Sequence, residues 1–245
     1  MKSDIEKLAD CLMESKYAVA LTGAGISTES GIPDFRGPGG LWQNVDSTEI
    51  LSREMLYYRP EHFYSSGLEL LNIMRNKDPN PAHKALALLE QRGLIQCVIT
   101  QNIDGLHHKA GSKNVIEVHG DLRTAFCDAC GREFPFEFLL SEAEEGIIPP
   151  KCTCGGIIRP NVVLFGDPMP PCFEDAIIQA KRADFMLVVG SSLQVAPVSY
   201  LPRLSRQIGI INLEPTPYDR AAAVVIHEKA GSALTDLIKV LDERR

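Results

Sequence analysis

Seven apolar runs separated by amphipathic segments constrain the fold of this 245-residue chain more than any other feature. Most runs are rich in valine and isoleucine, as strands are when helices cover both faces of their sheet. Residues 5–13, 83–91, 173–180 and 234–241 have the hydrophobic spacing of helices. This alternation predicts an α/β fold with a doubly wound, mostly parallel sheet. The predicted strands end at Leu21, Thr100, Val118, Leu164, Val189, Leu213 and Ile226.

A glycine turn, TGAGIS at residues 22–27, follows the first predicted strand directly. Glycine has no side chain to hold a ligand away, so backbone amides in such a turn can approach a pyrophosphate. The dinucleotide-binding pattern has a third glycine three residues after the second, where this chain has Thr28. By itself the turn is consistent with a nucleotide site or with a strand–loop junction that binds nothing.

Two other polar segments follow predicted strands, at residues 101–104 and 118–120. The first contains Gln101, Asn102 and Asp104, and the second contains His119. The carboxyl ends of parallel strands meet at one edge of a sheet, so all three segments would open into one crevice. The sequence therefore predicts a ligand-binding crevice at this edge.

Four of the seven cysteines form two close pairs, Cys127 with Cys130 and Cys152 with Cys154. The separation of the pairs is compatible with a zinc ribbon, in which two turns converge on one tetrahedral ion. The second pair has one intervening residue where zinc ribbons usually have two, and Gly155 after it allows a tight turn. We predict one structural Zn²⁺ held by these four thiolates, with reduced, unliganded thiols as the alternative.

Two segments interrupt the alternation of strands and helices. Residues 37–78 are aromatic and helix-like without a strand, and residues 123–156 contain the cysteine pairs. We therefore predict a Rossmann-like domain from residues 1–36, 79–122 and 157–245. A helical insertion at 37–78 and a zinc-binding insertion at 123–156 would form a smaller zinc-ribbon plus helical domain.

The charge balance argues against two classes of partner. Lys and Arg total 25 against 32 Asp and Glu, and the formal net charge of −7 disfavours nucleic acid and anionic membranes. The amino terminus is charged where a signal peptide is apolar, and no apolar run reaches membrane-spanning length. We therefore expect a cytoplasmic protein with reduced cysteines and with neither a nucleic-acid nor a membrane partner.

A series of motifs gives the chain, from about residue 18 to residue 231, a resemblance to the prokaryotic sirtuins. The motifs are GAGIS, GIPDFRG, TQNID-x-LH, VHG, the cysteine pairs, RPN running into FGD, and GSS, in that order. Sirtuins are NAD-dependent protein lysine deacylases. The resemblance implies NAD-dependent removal of acetyl groups from the lysines of proteins or peptides, yielding nicotinamide and O-acetyl-ADP-ribose.

The resemblance also implies which residues bind NAD. The backbone of the glycine turn would receive the pyrophosphate, while Arg36 would pair with phosphate and Phe35 would shield the reacting sugar. Asn102, Ile103 and Asp104 would hold the nicotinamide carboxamide. The full set is Gly23, Ala24, Gly25, Ser27, Thr28, Phe35, Arg36, Gln101, Asn102, Ile103, Asp104, His119, Gly190, Ser191, Ser192, Asn212, Leu213, Glu214 and Ala230.

His119 and Asn102 are the residues that the resemblance implies as catalytic. His119 would remove a proton from a ribose hydroxyl, a task that suits its near-neutral titration. On residue type alone, His119 would be interpreted as a buried structural histidine and Asp104 as a capping aspartate. His107 and His108 are predicted to be structural, and no motif supports a role for His83.

Val163, Phe165 and Gly166 match the sirtuin segment that lines the acyl-lysine tunnel, and Val195 would supply its other side. Such recognition contacts mainly the peptide backbone, so many substrate sequences should be accepted. Sirtuins that prefer acidic acyl groups have a tyrosine and an arginine where this chain has Gly67 and Leu70. The resemblance thus predicts short neutral acyl groups, acetyl first.

Several other functions remain open from the sequence. Protein mono-ADP-ribosyl transfer also cleaves NAD but passes the sugar to a protein nucleophile, and deacylation of other neutral acyl groups would use the same site. A nucleotide-sensing module would keep the glycine turn without a base or a peptide groove. An oxidoreductase is disfavoured because the third glycine of the dinucleotide pattern is missing.

Overall fold

The main sheet has six parallel strands in the computed structural model, which describes residues 2–34 and 47–244. The strand order is 3-2-1-7-8-9, with the direction of winding reversing between β1 and β7. This order confirms the predicted doubly wound α/β sheet. In spatial order the strands are β3 (Val115–Glu117), β2 (Val98–Thr100), β1 (Ala18–Thr22), β7 (Phe185–Val189), β8 (Ile208–Ile211) and β9 (Val224–Ile226).

Helices cover both faces of this sheet, which explains why its strands are apolar throughout. Alternate residues of β1 face opposite sides, so that Ala20 joins one core and Leu21 the other. The first core is closed by α1 (Lys2–Glu14), α6 (Pro81–Gln91) and α10 (Ala230–Glu243). The second core is closed by α9 (Cys172–Arg182) and a 3₁₀ segment, Val198–Leu204. A short helix, α7 (Leu106–Ala110), follows β2.

A second, antiparallel sheet lies outside the main one. Its order is β5 (Glu133–Pro135), β4 (Gly120–Cys127) and β6 (Ile158–Val162). The apolar run ending at Leu164 was expected to be a strand of the parallel sheet, and that expectation is wrong: β6 pairs antiparallel with β4. Ile158 and Val162 are buried in the core of this smaller sheet, so their hydrophobicity resembles that of a central strand.

The helical segment packs on the small sheet and shares its core. Leu56, Phe63 and Leu71 of the helical segment share one core with Ile158 of β6 and Phe136 of the helix beside the small sheet. This shared core confirms the predicted smaller domain with helical and zinc-ribbon parts. The helices are α2 (Ser47–Ile50), α3 (Arg53–Tyr58), α4 (Pro60–His62), α5 (Leu68–Ile73) and, beside the small sheet, α8 (Phe136–Glu144), with a π-turn at Phe63–Gly67.

The residue limits predicted for the separate parts stay predictions. Strand β4 crosses the predicted start of the 123–156 insertion, and it pairs with β6, which lies just beyond the predicted end. Among the described residues, no helix is both long and apolar enough to cross a membrane.

Candidate functional site

A cavity of about 920 Å³ opens at the carboxyl ends of β1, β2, β7 and β8, where the winding of the main sheet reverses. Ligands bind at such reversal points in open α/β sheets because loops diverge there and leave a crevice. Phe35 and Arg36 lie outside the described residues. The other residues predicted to bind NAD or substrate all line the cavity: Gly23, Ala24, Gly25, Ser27, Thr28, Gln101, Asn102, Ile103, Asp104, His119, Val163, Phe165, Gly166, Gly190, Ser191, Ser192, Val195, Asn212, Leu213, Glu214 and Ala230.

The glycine turn is packed against the end of the neighbouring strand β7. The Gly25 N–H donates to the Gly190 carbonyl oxygen at 2.8 Å. A Cβ atom placed on Gly23 would lie 2.8 Å from that same oxygen, and one on Gly25 would lie 2.9 Å from Gly190 Cα. Glycine is therefore required here by the approach of two backbones, in addition to any ligand. The chain continues as a 3₁₀ helix, Ala24–Ser30, which leads Ser27 into the cavity.

Ser27, Asn102 and Asp104 form one hydrogen-bonded group. Ser27 Oγ donates to Asp104 Oδ2 at 2.6 Å, and Asn102 Nδ2 donates to Ser27 Oγ at 3.0 Å and to the Gly23 carbonyl at 3.1 Å. Both amide hydrogens of Asn102 are thus used, so the group it can offer a ligand is the acceptor Oδ1. Burial raises the pKa of Asp104, while hydrogen bonds from Ser27 and the Leu106 N–H oppose the rise.

The backbone holds His119 through one ring nitrogen, Nδ1, and leaves the other, Nε2, as the acceptor. Its Nδ1 lies 3.0 Å from the Gln101 carbonyl oxygen, which can only accept, so Nδ1 carries the proton. The neutral ring then has its lone pair on Nε2. Burial lowers the pKa of His119, although the Gln101 carbonyl opposes this shift. The arrangement favours a neutral imidazole that can accept a proton.

A pH dependence follows from this lowered pKa. If neutral His119 is the base, kcat/KM should be level through neutral pH and fall as His119 becomes protonated, below its ordinary value of 6.5. A pH–rate profile with the substrates that the resemblance implies, an acetylated peptide and saturating NAD, measures this. An acid limb centred above pH 7 would contradict the assigned environment of His119.

Two buried histidines, His83 and His107, contact residues of the glycine turn, and the sequence did not predict this position for them. Burial lowers the pKa of His83 to about 4 and of His107 to about 3, so both rings are neutral. His83 Nε2 lies 3.4 Å from Ser27 Oγ, and His107 Nε2 lies 2.9 Å from Thr22 Oγ1. One sequence feature could have indicated the position of His83. Asn80, three residues earlier, is the N-cap of α6, and its backbone N–H bonds to the His83 ring and orients it.

The predicted substrate wall is attached to the histidine segment. The Val163 N–H donates to the His119 carbonyl at 2.9 Å. The Phe165 N–H donates to the Leu51 carbonyl at 3.0 Å, and the Phe165 carbonyl accepts from the Arg53 N–H at 2.9 Å. The Phe165 N–H is therefore already used, while its carbonyl oxygen has a second lone pair that could accept from a peptide.

The helical segment lines the cavity with residues other than Gly67 and Leu70, the two positions compared in the sequence analysis. Leu71 and Met74 line the cavity, together with Leu51 and Ile32. Gly67 packs instead near Phe63, inside the small domain. Leu70 and Leu71 are neighbours on α5 and therefore point to different sides of the helix, and only Leu71 lines the cavity.

The four paired cysteines converge as the zinc prediction requires. Their Sγ atoms all lie within 4.8 Å of one another, with Cys127 to Cys154 at 3.5 Å and Cys130 to Cys152 at 3.8 Å. Four thiolates around a tetrahedral Zn²⁺ at about 2.3 Å would be about 3.8 Å apart, so the geometry fits. A Cβ on Gly156 would lie 2.6 Å from Cys127 Sγ, so glycine is needed after the shortened pair.

The cysteine cluster is remote from the cavity. Gly120 follows His119 and begins β4, whereas Cys127 ends the same strand. An extended strand of that length separates the two by about 20 Å. The geometry therefore suits a structural ion and not one that contacts a ligand in the cavity.

Comparisons with known proteins agree with one another. A model of the Sir2 family matches residues 23–197. NAD-dependent protein deacetylase 2 of Caldanaerobacter subterraneus subsp. tengcongensis is 52% identical, over 96% of this chain and 95% of that protein. The NAD-dependent protein deacetylase of Saccharolobus solfataricus is 45% identical over 96% of each.

Solved structures are similar over almost the whole chain. One described as a complex of Sir2, a p53 peptide and NAD⁺ has a TM-score of 0.86 at 40% identity and covers 97% of both chains. Another, described as Sir2 bound to acetylated peptide, has a TM-score of 0.87 at 37% identity and covers 98% of both.

Proposed function

Because the chain belongs to the Sir2 family, we propose that its cavity joins an acetyl-lysine peptide to NAD and makes it an NAD-dependent protein deacetylase. The products are nicotinamide, deacetylated lysine and O-acetyl-ADP-ribose. One observation carries the proposal: a single cavity is lined by the glycine turn, the Asn102–Asp104 group, His119 and the wall of Val163 and Val195. A base, a dinucleotide cradle and a peptide wall are thus within reach of one another.

The residues of the chain divide the work by their chemistry. Bound NAD supplies a ribose carbon that can exchange nicotinamide for the acyl oxygen. His119 Nε2 takes a proton from a ribose hydroxyl, while the Gln101 carbonyl holds the ring in the required tautomer. Asn102 Oδ1 accepts a hydrogen bond from the reacting sugar or its attacking oxygen. Apolar Val163 and Val195 keep water from the acyl-lysine stem.

The Asp104 carboxylate orients the nicotinamide carboxamide, with Ser27 fixing one oxygen and the Leu106 N–H the other. At the opposite end, Gln101 Nε2 donates to Ser191 Oγ at 2.9 Å and turns this hydroxyl toward the adenosine ribose. Asn212 and Glu214, which follow β8, supply an amide and a carboxylate to that ribose. Ala230, at the start of α10, packs against adenine.

Mass spectrometry tests the proposed function directly. Incubation with NAD and one acetylated peptide should yield O-acetyl-ADP-ribose in amounts equal to the nicotinamide released. NAD labelled in its adenosine half separates the runner-up activity, because mono-ADP-ribosyl transfer would leave label on protein. Label on protein without O-acetyl-ADP-ribose would replace deacetylation with transfer.

Replacing Asp104 by Asn should slow nicotinamide exchange about 10- to 100-fold, because a hydrogen bond to a charged group contributes about 1.5–3 kcal/mol. Exchange of labelled nicotinamide into NAD measures the change. Asp236→Asn, which removes an exposed carboxylate paired with Lys239, is the matched control and should leave exchange unchanged. Normal exchange in the Asp104 variant would remove this residue from the nicotinamide pocket.

The preferred acyl group follows from the apolar residues that the helical segment and Ile103 place in the cavity. Leu71, Met74 and Ile103 line the cavity and offer a carboxylate no partner, so burying a succinyl charge there is unfavourable. We expect kcat/KM for an acetylated peptide to exceed that for its succinylated form by at least about 100-fold. A propionylated peptide of the same sequence is the neutral control and should react. Faster desuccinylation would contradict the proposed wall.

The four-cysteine cluster holds one structural Zn²⁺, which organises the small sheet and supplies no chemistry to the cavity. We also propose that the protein works in the cytoplasm, where a reducing environment keeps such thiolates able to bind metal. Fractionation of cells with an antibody against the chain tests this location.

A further inference from the structure

A buried ion pair joins Arg159 of β6 to Asp167, just beyond the proposed substrate wall. The two side chains are only 6% and 9% exposed. Arg159 Nη1 donates to Asp167 Oδ1 at 3.1 Å, and Nη2 contacts Oδ2. The guanidinium also lies over the ring of Phe126, 5.6 Å from its centre. A two-pronged pair of this kind fixes direction as well as distance.

The same two side chains hold the backbone on both sides of Val163. Arg159 Nη2 donates to the Val162 carbonyl at 3.1 Å, and Asp167 Oδ2 accepts from the Leu164 N–H at 2.9 Å. The Asp167 N–H returns to the Leu164 carbonyl at 2.9 Å, which closes a turn. The ion pair therefore sets the path of residues 162–167.

That path is a junction of three parts of the molecule. Val163 is bonded to the His119 carbonyl, and Phe165 is bonded to Leu51 and Arg53 of the helical segment. Arg159, on β6 of the small sheet, binds the two ends of this path through the Val162 carbonyl and the Asp167 carboxylate. Moving the turn would shift the wall relative to His119, while the glycine turn and the Asn102 group on the main sheet would keep their own bonds.

We propose that Arg159 and Asp167 are positioning residues for the peptide substrate, an inference that rests on the proposed deacetylase function. They hold the wall of residues 163–166 at the place where the acyl-lysine segment binds, and they leave the dinucleotide half of the cavity unaffected. Their removal should therefore weaken peptide binding selectively, whereas a purely structural role would lower stability without separating the two substrates.

Asp167→Asn is the principal test, because it keeps the shape of the side chain and removes the charge and one strong acceptor. We expect KM for an acetyl-lysine peptide to rise about tenfold and KM for NAD to stay within about twofold. Asp167→Glu retains the carboxylate and should give an intermediate peptide KM, and it serves as the test if the Asn variant does not fold. Asp10→Asn, which breaks the exposed pair with Arg244, is the matched control and should change neither KM.

Binding of a fluorescent acetyl-lysine peptide, followed by anisotropy, provides a readout that needs no turnover. Weaker peptide binding in the Asp167 variants, with unchanged calorimetric NAD affinity, supports the proposal even if O-acetyl-ADP-ribose is never formed. Absence of that product from the wild-type protein would overturn only the proposed function. Equal loss of affinity for peptide and NAD, or loss of thermal stability alone, would overturn the positioning role.

Discussion

Replacing His119 by alanine should lower the rate of deacetylation by about 10²- to 10⁴-fold, the usual contribution of a positioned general base. The reason is that this ring is the cavity-lining group held as a neutral acceptor, through the bond between Nδ1 and the Gln101 carbonyl. NAD affinity should change by no more than a few-fold, since the glycine turn and the Asn102 group keep their own contacts. Single-turnover kinetics and calorimetric NAD binding measure the two quantities separately.

His119→Gln separates proton transfer from positioning. A glutamine side chain can still donate toward the Gln101 carbonyl but has no titratable nitrogen, so it should lose nearly as much activity as alanine. His62→Ala, which removes an exposed histidine of the helical segment, is the control and should keep wild-type rates. Near wild-type deacetylation by either His119 variant would mean that another group is the base.

Replacing Cys152 by serine should destabilise the protein by at least about 3 kcal/mol, because the binding energy of a structural metal is also folding energy. A change of that size corresponds to a fall in Tm of about 10 °C for a domain of this length. Elemental analysis should find one zinc per wild-type chain and less in the variant. Differential scanning calorimetry and metal content, measured on the same samples, test both parts.

Cys11→Ser is the matched control, since Cys11 is half-buried on α1 and lies outside the cluster. It should keep its zinc and shift Tm by no more than about 3 °C. Wild-type protein stripped with a chelator should behave like the Cys152 variant and recover on addition of Zn²⁺. Metal-free protein that folds and deacetylates normally would show that the cluster is not a zinc site.

Much of the site could be predicted because its parts lie at strand ends. The glycine turn, Gln101 to Asp104, and His119 each follow an apolar run, and parallel strands bring such ends together. The cysteine pairs were recognisable for a similar reason, since metal ligands must be close in space and their short spacing is a local property.

Other features depend on contacts between distant segments and were not readable in advance. His83 lies behind Ser27 only because α6 packs there, and Leu71 lines the cavity only because α5 presents that face. The ion pair between Arg159 and Asp167 likewise forms only because the turn after β6 folds back toward that strand.

The alternation of strands and helices, the polar segments at the strand ends and the close spacing of the cysteine pairs could be recognised in the sequence, because each is carried by neighbouring residues. The pairing of Ile158–Val162 with Gly120–Cys127, outside the parallel sheet, became visible in the folded chain alone. A buried strand has the same composition in either sheet, and the choice depends on which long-range partner covers it.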